Sequence, residues 1–325
     1  MLQTRTGRAL LTALTFCGAS AFAADPQLLN LVMPDAQVMA GMNVTNAEIS
    51  PLGQYLLNKL TTNDPGFQNF VSETGFDPTK DVTEVLAASS GSQTSPSGLL
   101  LAKGTFNVSQ LLSAIAKDTN HQVSTYGGDT LITSTKATDT FALAFSGGSI
   151  AIAGDVTSVK AAIDRSGGVN SISPALAAQV QALSTTEDAW SVSIASLGAL
   201  IPGSAGSSAT GMAGQTLQIV KNIQSANSGV KFGANVQFTA QAVADTPQDA
   251  TSLADVIKMV VSLAAMSTAG QGGEGAAIAQ LVQSLQVSAS GATVNLSATV
   301  PETQIESILN AAAKTSDSTP KARKL

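Results

Sequence analysis

The chain has 325 residues, of which 44% are hydrophobic, 12% are charged and 4% are aromatic, and its formal net charge is −6. This length is sufficient for two domains of ordinary size, each with its own core. The negative charge argues against a nucleic-acid partner, and the scarcity of aromatic residues leaves little surface for stacking on bases or sugars.

Residues 1–23 have the three parts of a secretory signal peptide. Arg5 and Arg8 provide the positive region, residues 9–16 form a short apolar region, and Ala21-Phe22-Ala23 fits the small-x-small cleavage pattern. We therefore predict cleavage near Ala23 and a periplasmic or extracellular protein. Loss of the two arginines changes the net charge from −6 to −8. No later segment is long and apolar enough to predict a transmembrane segment in the mature chain.

Residues 24–170 are predicted to form a first α+β unit. Period-two alternation of apolar residues predicts strands at 38–44, 84–89, 99–106, 123–125, 130–133, 141–145 and 150–152. Apolar stripes at helical spacing, preceded by capping residues, predict helices after Ser50, Asn107 and Asp155.

The hairpin at 141–152 and the helix after Asp155 recur about 144 residues later. Residues 285–298 alternate around the Ser290-Gly291 turn, and a helical stripe follows Pro301. Self-similarity of this kind indicates an internal repeat. We therefore predict an α+β fold of two similar repeats, each a mainly antiparallel sheet with helices packed on one face.

The second repeat is assigned to residues 186–313, after a linker at 171–185 that includes a short helix, and residues 314–325 are expected to be a disordered tail. Leu217, Val220 and Ile223 predict a helix, and residues 230–243 predict a long strand or a hairpin. The segment 249–266 predicts a strong helix that is apolar on more than one side. We expect this helix to be sandwiched between the repeats, although contact with a partner or the lining of a ligand cavity would also explain its pattern.

Three segments of the sequence carry a family resemblance: the opening DPQLLNLVMPDAQVMAGMNV, the Gly-Phe-Asp-Pro at 75–78, and the AIAGD before the helix at 156. Together they resemble a family of uncharacterised secreted bacterial proteins from soil-dwelling groups. The resemblance covers nearly the whole mature chain. It implies export and a duplicated α+β fold, and it brings no catalytic residues.

The residues needed for common enzyme chemistries are scarce. His121 is the only histidine, no Gly-x-Ser-x-Gly motif is present, and the only cysteine, Cys17, lies in the signal peptide. A catalytic triad, a thiol nucleophile and zinc or copper sites are therefore not expected in the mature chain. The Ser-x-x-Lys spacing at Ser228–Lys231 falls in a predicted strand, and the Gly-x-Gly-x-x-Gly spacing at 270–275 follows a helix, so we interpret both as coincidental.

The acidic residues Asp77, Asp81 and Glu84 are the best candidates for calcium binding or for a catalytic carboxylate pair. They lack the alternating spacing of a calcium loop, and Asp77 precedes Pro78 as a helix cap does. We therefore predict no catalytic, cofactor-binding or metal-binding residues.

The functional hypothesis is an exported, non-enzymatic binding or envelope-associated structural module whose partner is an unknown protein or an apolar ligand. One alternative is a periplasmic carrier or chaperone for an apolar ligand, with a cavity lined from the 249–266 helix. A second is a hydrolase that uses a carboxylate pair.

Overall fold

The computed structural model describes residues 23–63, 65–92, 97–116, 119–136, 138–200, 219–268 and 274–317. Signal-peptide residues 1–22, most of the glycine motif at 270–275 and the tail from 318 lie outside these ranges. The described residues form one antiparallel sheet of 12 strands with helices packed against it. The predicted α+β class with mainly antiparallel pairing is confirmed.

The first half contains seven strands and eight helices among the described residues. In chain order they are α1 (Pro26–Leu31), β1 (Val38–Asn43), α2 (Val44–Ile49), α3 (Pro51–Asn63), α4 (Pro65–Thr74), α5 (Pro78–Asp81), β2 (Val82–Ser89), β3 (Gly98–Gly104), α6 (Val108–Ile115), β4 (His121–Tyr126), β5 (Asp129–Ser134), β6 (Phe141–Ser146), β7 (Ile150–Asp155), α7 (Val156–Arg165) and α8 (Pro174–Ser184).

The described part of the second half contains five strands. Its elements are β8 (Ala189–Ser193), α9 (Leu197–Leu200), β9 (Ile223–Lys231), β10 (Asn235–Ala244), α10 (Pro247–Thr268), α11 (Glu274–Ser284), β11 (Gln286–Ser290), β12 (Thr293–Pro301) and α12 (Glu302–Asp317).

Local signals in the sequence explain several of these boundaries. The side chains of Asn107 and Asp155 accept hydrogen bonds from backbone N–H groups in the first turns of α6 and α7, as expected of N-cap residues. The β4–β5 hairpin turns at Gly127 and Gly128, which have φ angles of 60° and 93°. Positive φ at both turn positions favours glycine.

The order of strands in the sheet is β11-β12-β10-β9-β8-β1-β2-β3-β7-β6-β5-β4. Read outward from the central β1–β8 pair, the first half runs β1-β2-β3-β7-β6 and the second runs β8-β9-β10-β12-β11. The two halves thus share one strand order, and the first half carries the additional β4–β5 hairpin at its edge. The recurring hairpins of the sequence are β6–β7 and β11–β12.

The halves share a single sheet rather than forming two separate sheets, because β1 pairs antiparallel with β8. Met39 lies opposite Val192 and Gly41 lies opposite Trp190 across this junction. Residues 171–185, assigned from sequence to a linker with a short helix, contain α8, whose Leu176 side chain is fully buried in the same core as Met39.

We call the sheet face that bears Met39, Leu86 and Leu101 the front face, and the opposite one the back face. In the first half α1, α7 and α8 cover the front face, whereas α6 packs on the back face against a separate cluster that includes Phe145. Helices therefore lie on both faces of the first half. The alternation of strand side chains supplies apolar residues to each face in turn.

Beyond β8, the back face of the second half is apolar and the front face is polar. Ala250, Leu253 and Ala254 of α10 pack on the back face with Val294 of β12. On the front face, Asn227, Gln241 and Asn295 lie opposite one another on β9, β10 and β12. This alternation of apolar and polar faces is typical of antiparallel strands.

The predicted 249–266 helix exists as α10, but it is not sandwiched between the halves. Its main contacts are with α11, β10, β11 and β12, all in the second half. Met259, Val260, Leu263 and Met266 are between 38% and 74% exposed. Apolar residues therefore occupy more of the helix surface than the sheet and its neighbours cover.

Strand β9 differs from the sequence expectation, which placed Ile223 at the end of a helix. Ile223 is instead the first residue of β9, which pairs with β8 on one side and β10 on the other. The strand consists largely of small and polar residues, which have little strand preference of their own. Hydrogen bonds from two neighbouring strands determine its conformation.

We expect Gly41→Ala to lower the free energy of unfolding by about 1–3 kcal/mol, in the range of overpacked substitutions. A Cβ atom at position 41 would lie 2.5 Å from Cζ2 of Trp190, which is only 7% exposed. Chemical denaturation followed by circular dichroism measures the change.

The matched control is Gly98→Ala, because a Cβ atom there meets its nearest atom, the Ala88 carbonyl oxygen, at 3.6 Å. Equal stability changes in the two variants would show that close packing of Trp190 on Gly41 does not hold the β1–β8 junction.

Candidate apolar ligand site

A cavity of about 300 Å³ lies between the back face of the first half and the helices α4 and α6. Apart from Thr74, every residue that lines it is apolar. This volume is at the lower end of the range of small-molecule sites, which are typically concave and mostly apolar.

The floor of the cavity consists of strand residues on the back face. Leu100 pairs with Ala153, and Ala102 pairs with Ala151, across the β3–β7 ladder. Their chain neighbours on β3, Leu99 and Leu101, point to the front face and are buried there. Because the alanine side chains are short, α4 and α6 cannot fill the space above them.

Phenylalanine side chains form one wall. The ring centroids of Phe70 and Phe76 are 6.1 Å apart, those of Phe76 and Phe106 are 5.5 Å apart, and those of Phe106 and Phe145 are 5.5 Å apart. Four of the ten phenylalanines in the chain therefore meet at this cavity. Contacts between tilted or edge-on rings stabilise such a wall beyond the burial of its area.

The cavity opens to solvent beside α4. Phe70 on α4 is 43% exposed and Leu100 on the floor is 51% exposed, although both line the cavity. The hydroxyl of Thr74 donates a hydrogen bond to the Phe70 carbonyl at 2.6 Å and accepts one from the Phe76 N–H at 3.2 Å. The one polar side chain in the lining is therefore already hydrogen-bonded to α4 and to the turn that follows it.

Gly75 directly follows α4, in the turn that leads to α5. Its φ angle is 65°, which glycine adopts without strain. A Cβ atom at this position would lie 2.0 Å from Nε2 of Gln110 on α6. The close approach of backbone and side chain holds the end of α4 over the cavity.

The three acidic residues singled out from the sequence do not converge on a common point, and only Asp77 and Asp81 lie next to residues that line this cavity. Asp77 Oδ1 accepts a hydrogen bond from the Thr79 N–H at 3.0 Å, and Oδ2 accepts one from Lys80 Nζ at 2.6 Å. Asp81 Oδ2 accepts from the Asp77 N–H at 2.7 Å. These are the contacts of a capped helical turn, as the sequence indicated.

Glu84 faces away from that turn, towards the front of the sheet. Its Oε1 accepts a hydrogen bond from the Asp25 N–H at 3.0 Å. Among the described residues, no group of three or more His, Cys, Asp or Glu side chains has the arrangement of a metal site. The three carboxylates are therefore not brought together as a calcium site or a catalytic pair.

The pKa values of these carboxyl groups follow their surroundings. Burial raises the pKa of Asp77, but the hydrogen bonds from Lys80 and Thr79 outweigh burial and lower the pKa below its ordinary value. Burial is also the main influence on Glu84, where it raises the pKa despite the hydrogen bond from the Asp25 N–H.

The other sequence motifs do not have the geometry that the chemistry suggested by their spacing would require. His121 begins β4 at the edge of the sheet. Ser228 Oγ is 2.8 Å from Ser191 Oγ, and Lys231 Nζ donates to the Thr186 carbonyl at 3.1 Å. Both residues are on strand β9, so the Ser-x-x-Lys spacing does not place them on one helical turn.

Helix α10 supplies no residue to the cavity. The expectation that a ligand cavity would be lined from 249–266 is therefore wrong for this cavity. Sequence reasoning missed its walls because they come from seven separate helices and strands and from two loops. The local signals were the alanines on the back face of β3 and β7 and the clustering of phenylalanines in the first half.

The fold and cavity define an α+β protein with one continuous antiparallel sheet and an apolar recess under two short helices. No protein-family model matches the chain, and no curated protein matches it. Among solved structures the chain is similar to TP0453 in crystal form III, with a TM-score of 0.54 and 10% identity over 89% of this chain and 99% of that chain. For crystal form IV of TP0453 the TM-score is 0.51, with 9% identity over 88% and 97% of the two chains. At this identity the similarity shows a shared fold only.

No helix in the described part of the chain has the length and apolar character needed to cross a membrane.

We expect Asp77→Ala to lower the free energy of unfolding near neutral pH by about 1 kcal/mol, a typical effect of losing an N-cap. Because the folded-state pKa of Asp77 is lowered, its contribution is present above the unfolded-state pKa of about 3.9 and is lost as the pH falls through the folded-state value. Urea denaturation at neutral pH and near pH 3 measures this dependence.

Asp77→Asn is the control, since asparagine also caps helices but carries no charge. It should retain the part of the stability that comes from the cap, and its difference from Asp77→Ala should be the same at both pH values. A loss in Asp77→Ala that is the same at both pH values would contradict the assignment of the effect to the ionised carboxylate.

Proposed function

We propose that the protein is an exported, non-enzymatic binding module that holds an apolar ligand, or the apolar part of a larger one, in the cavity beneath α4 and α6. The observation that carries the proposal is the cavity lining, in which every side chain is apolar except Thr74. This function corresponds to the carrier alternative of the sequence analysis, with a different cavity.

The absence of polar groups that require pairing makes water a poor occupant of this space. An ordered water needs two to four polar partners, and apolar cavities in proteins remain dry or bind apolar molecules. The Thr74 hydroxyl already has its partners. An apolar ligand would regain the dispersion contacts that the lining side chains lack across the void.

The position of the opening supports uptake from solvent. Phe70 and Leu100 expose apolar surface at the mouth, and α4 is a short helix whose main contacts are with α3 and α6. A ligand can therefore enter beside α4 without disturbing the sheet. The signal-peptide pattern at residues 1–23 supports export, which would place this uptake outside the cytoplasm.

A second candidate function is the binding of a protein at α10. Leu263 is 50% exposed and Met266 is 74% exposed on this helix, although both are large apolar residues. The two candidates use different halves of the molecule, so substitutions can separate them. The hydrolase alternative has less support, because Asp77, Asp81 and Glu84 are engaged in separate local contacts.

We expect the wild-type protein to bind cis-parinaric acid, a fluorescent fatty acid, and Ala151→Leu to weaken this binding by at least about tenfold, which corresponds to 1.4 kcal/mol. The added carbons occupy the cavity floor, where Ala151 pairs with Ala102. Fluorescence titration measures the affinity. Filling the void should also leave the melting temperature unchanged or raise it.

Ala289→Leu is the matched control. Ala289 is exposed on β11, in the second copy of the recurring hairpin, and it does not line the cavity of the first half. The double variant Leu263→Ser with Met266→Ser tests α10. Loss of binding in the double variant with full binding in Ala151→Leu would transfer the function to α10, and no binding by the wild type would refute the proposal.

A further inference from the structure

A second, smaller cavity of about 100 Å³ lies on the front side of the sheet, where α1, α8 and the β1–β8 junction meet. Its walls carry four carboxylates together with a serine and the junction tryptophan: Asp25, Glu84, Glu187, Asp188, Ser184 and Trp190. Ala23, Ala24, Met42 and Asn43 complete the lining. An adjacent cavity of about 190 Å³ shares Ala23, Ala24 and Ser184 with it.

Two of the carboxylates are fully engaged in the fold. Asp188 accepts hydrogen bonds from Asn46 Nδ2 at 2.8 Å and from the Phe232 N–H at 2.7 Å. Asp25 pairs with Lys103 and also accepts from the Gln27 N–H at 2.8 Å, which caps α1. Lys103 thus pairs with Asp25, and its charge also acts on Glu84.

Glu84 and Ser184 are left with unused hydrogen-bonding capacity. Glu84 accepts a single described hydrogen bond, from the Asp25 N–H, and burial raises its pKa. The Ser184 side chain is at the end of α8, in a residue only 5% exposed, and its Oγ has no hydrogen-bond partner among the described residues. A buried hydroxyl without a partner is unfavourable and points to a missing donor or acceptor.

The predicted cleavage point lies at this pocket. The Asp25 N–H donates a hydrogen bond to Glu84 Oε1, and the Ala24 nitrogen is one residue away, at most about 3.6 Å along the chain. Ala24 is 6% exposed and belongs to the core cluster of the front face, whereas Ala23 is exposed. The Ala21-Phe22-Ala23 pattern therefore ends where the chain enters the fold.

We propose that this pocket is the docking site of the mature N-terminus, the α-ammonium group of Ala24. A signal peptidase of the exporting cell adds water across the Ala23–Ala24 peptide bond. Ala23 leaves with the new carboxylate, and Ala24 keeps the nitrogen, which takes up a proton at neutral pH.

The ammonium group supplies what the pocket lacks. It has three N–H donors and a positive charge, which suit the Glu84 carboxylate and the Ser184 hydroxyl oxygen. A buried charge is tolerated only when it is paired and hydrogen-bonded, and the pocket provides both conditions. Because Ala24 is buried in the folded protein, cleavage precedes docking, and signal removal completes the anchoring of α1. This inference does not depend on the proposed ligand cavity.

The test begins with export of the full 325-residue precursor in a bacterial host, followed by intact-mass measurement of the purified protein. We expect a chain that starts at Ala24. The α-amino group is then labelled by reductive dimethylation under native conditions, and its rate is read from the N-terminal peptide by mass spectrometry. We expect the rate to be about tenfold or more below that of a variant with one glycine inserted between Ala23 and Ala24, because burial in a stable pocket slows labelling.

Glu84→Gln and Ser184→Ala should each raise the labelling rate of the α-amino group, while Glu73→Gln, an exposed acid on α4, should leave it unchanged. Ser184→Ala and the glycine insertion keep the test decisive if Glu84→Gln fails to fold. A mature chain that starts at another residue, or an α-amino group that reacts as fast as in the glycine-insertion variant, would overturn the proposal.

Discussion

The antiparallel pairing of β1 with β8 is the constraint on which the rest of the structure depends. This pairing joins the two halves of the chain into one sheet of 12 strands. It also determines which face of the second half continues the front face of the first. A shift of one residue in this ladder would exchange the two faces of every strand beyond it. Gly41 allows the close pairing, because any larger residue would collide with Trp190.

This register assigns the two faces different roles. In the first half the front face is a closed core, in which Leu28 of α1 and Leu101 of β3 are fully buried. The back face of the same strands carries alanines under two short helices, and the apolar cavity results. The N-terminal pocket forms on the front side at the junction itself, since its walls include residues from both halves. A ligand cavity and an anchored chain terminus can therefore coexist on opposite faces of one sheet.

The similarity to TP0453 extends over nearly the whole of both chains, which supports treating the sheet and its helices as one fold. It says nothing about residues, because identity is 10%. The proposed binding function therefore rests on the chemistry of the cavity. The common strand order of the two halves is compatible with duplication, but the helices differ in placement: α7 crosses the front face, whereas α12 packs against α3 and α11.

The sequence alone determined the features that depend on neighbouring residues: the hairpins, the caps at Asn107 and Asp155, and the recurrence of one hairpin in each half. Alternation and capping are local effects, so they can be read along the chain. The tertiary structure decided that the halves share a sheet, that Ile223 begins a strand, and that α10 lies on the outside of the second half. It also brought four phenylalanines together and turned Glu84 away from Asp77. These outcomes depend on pairing and packing between residues distant in sequence, whose free energies no local pattern encodes.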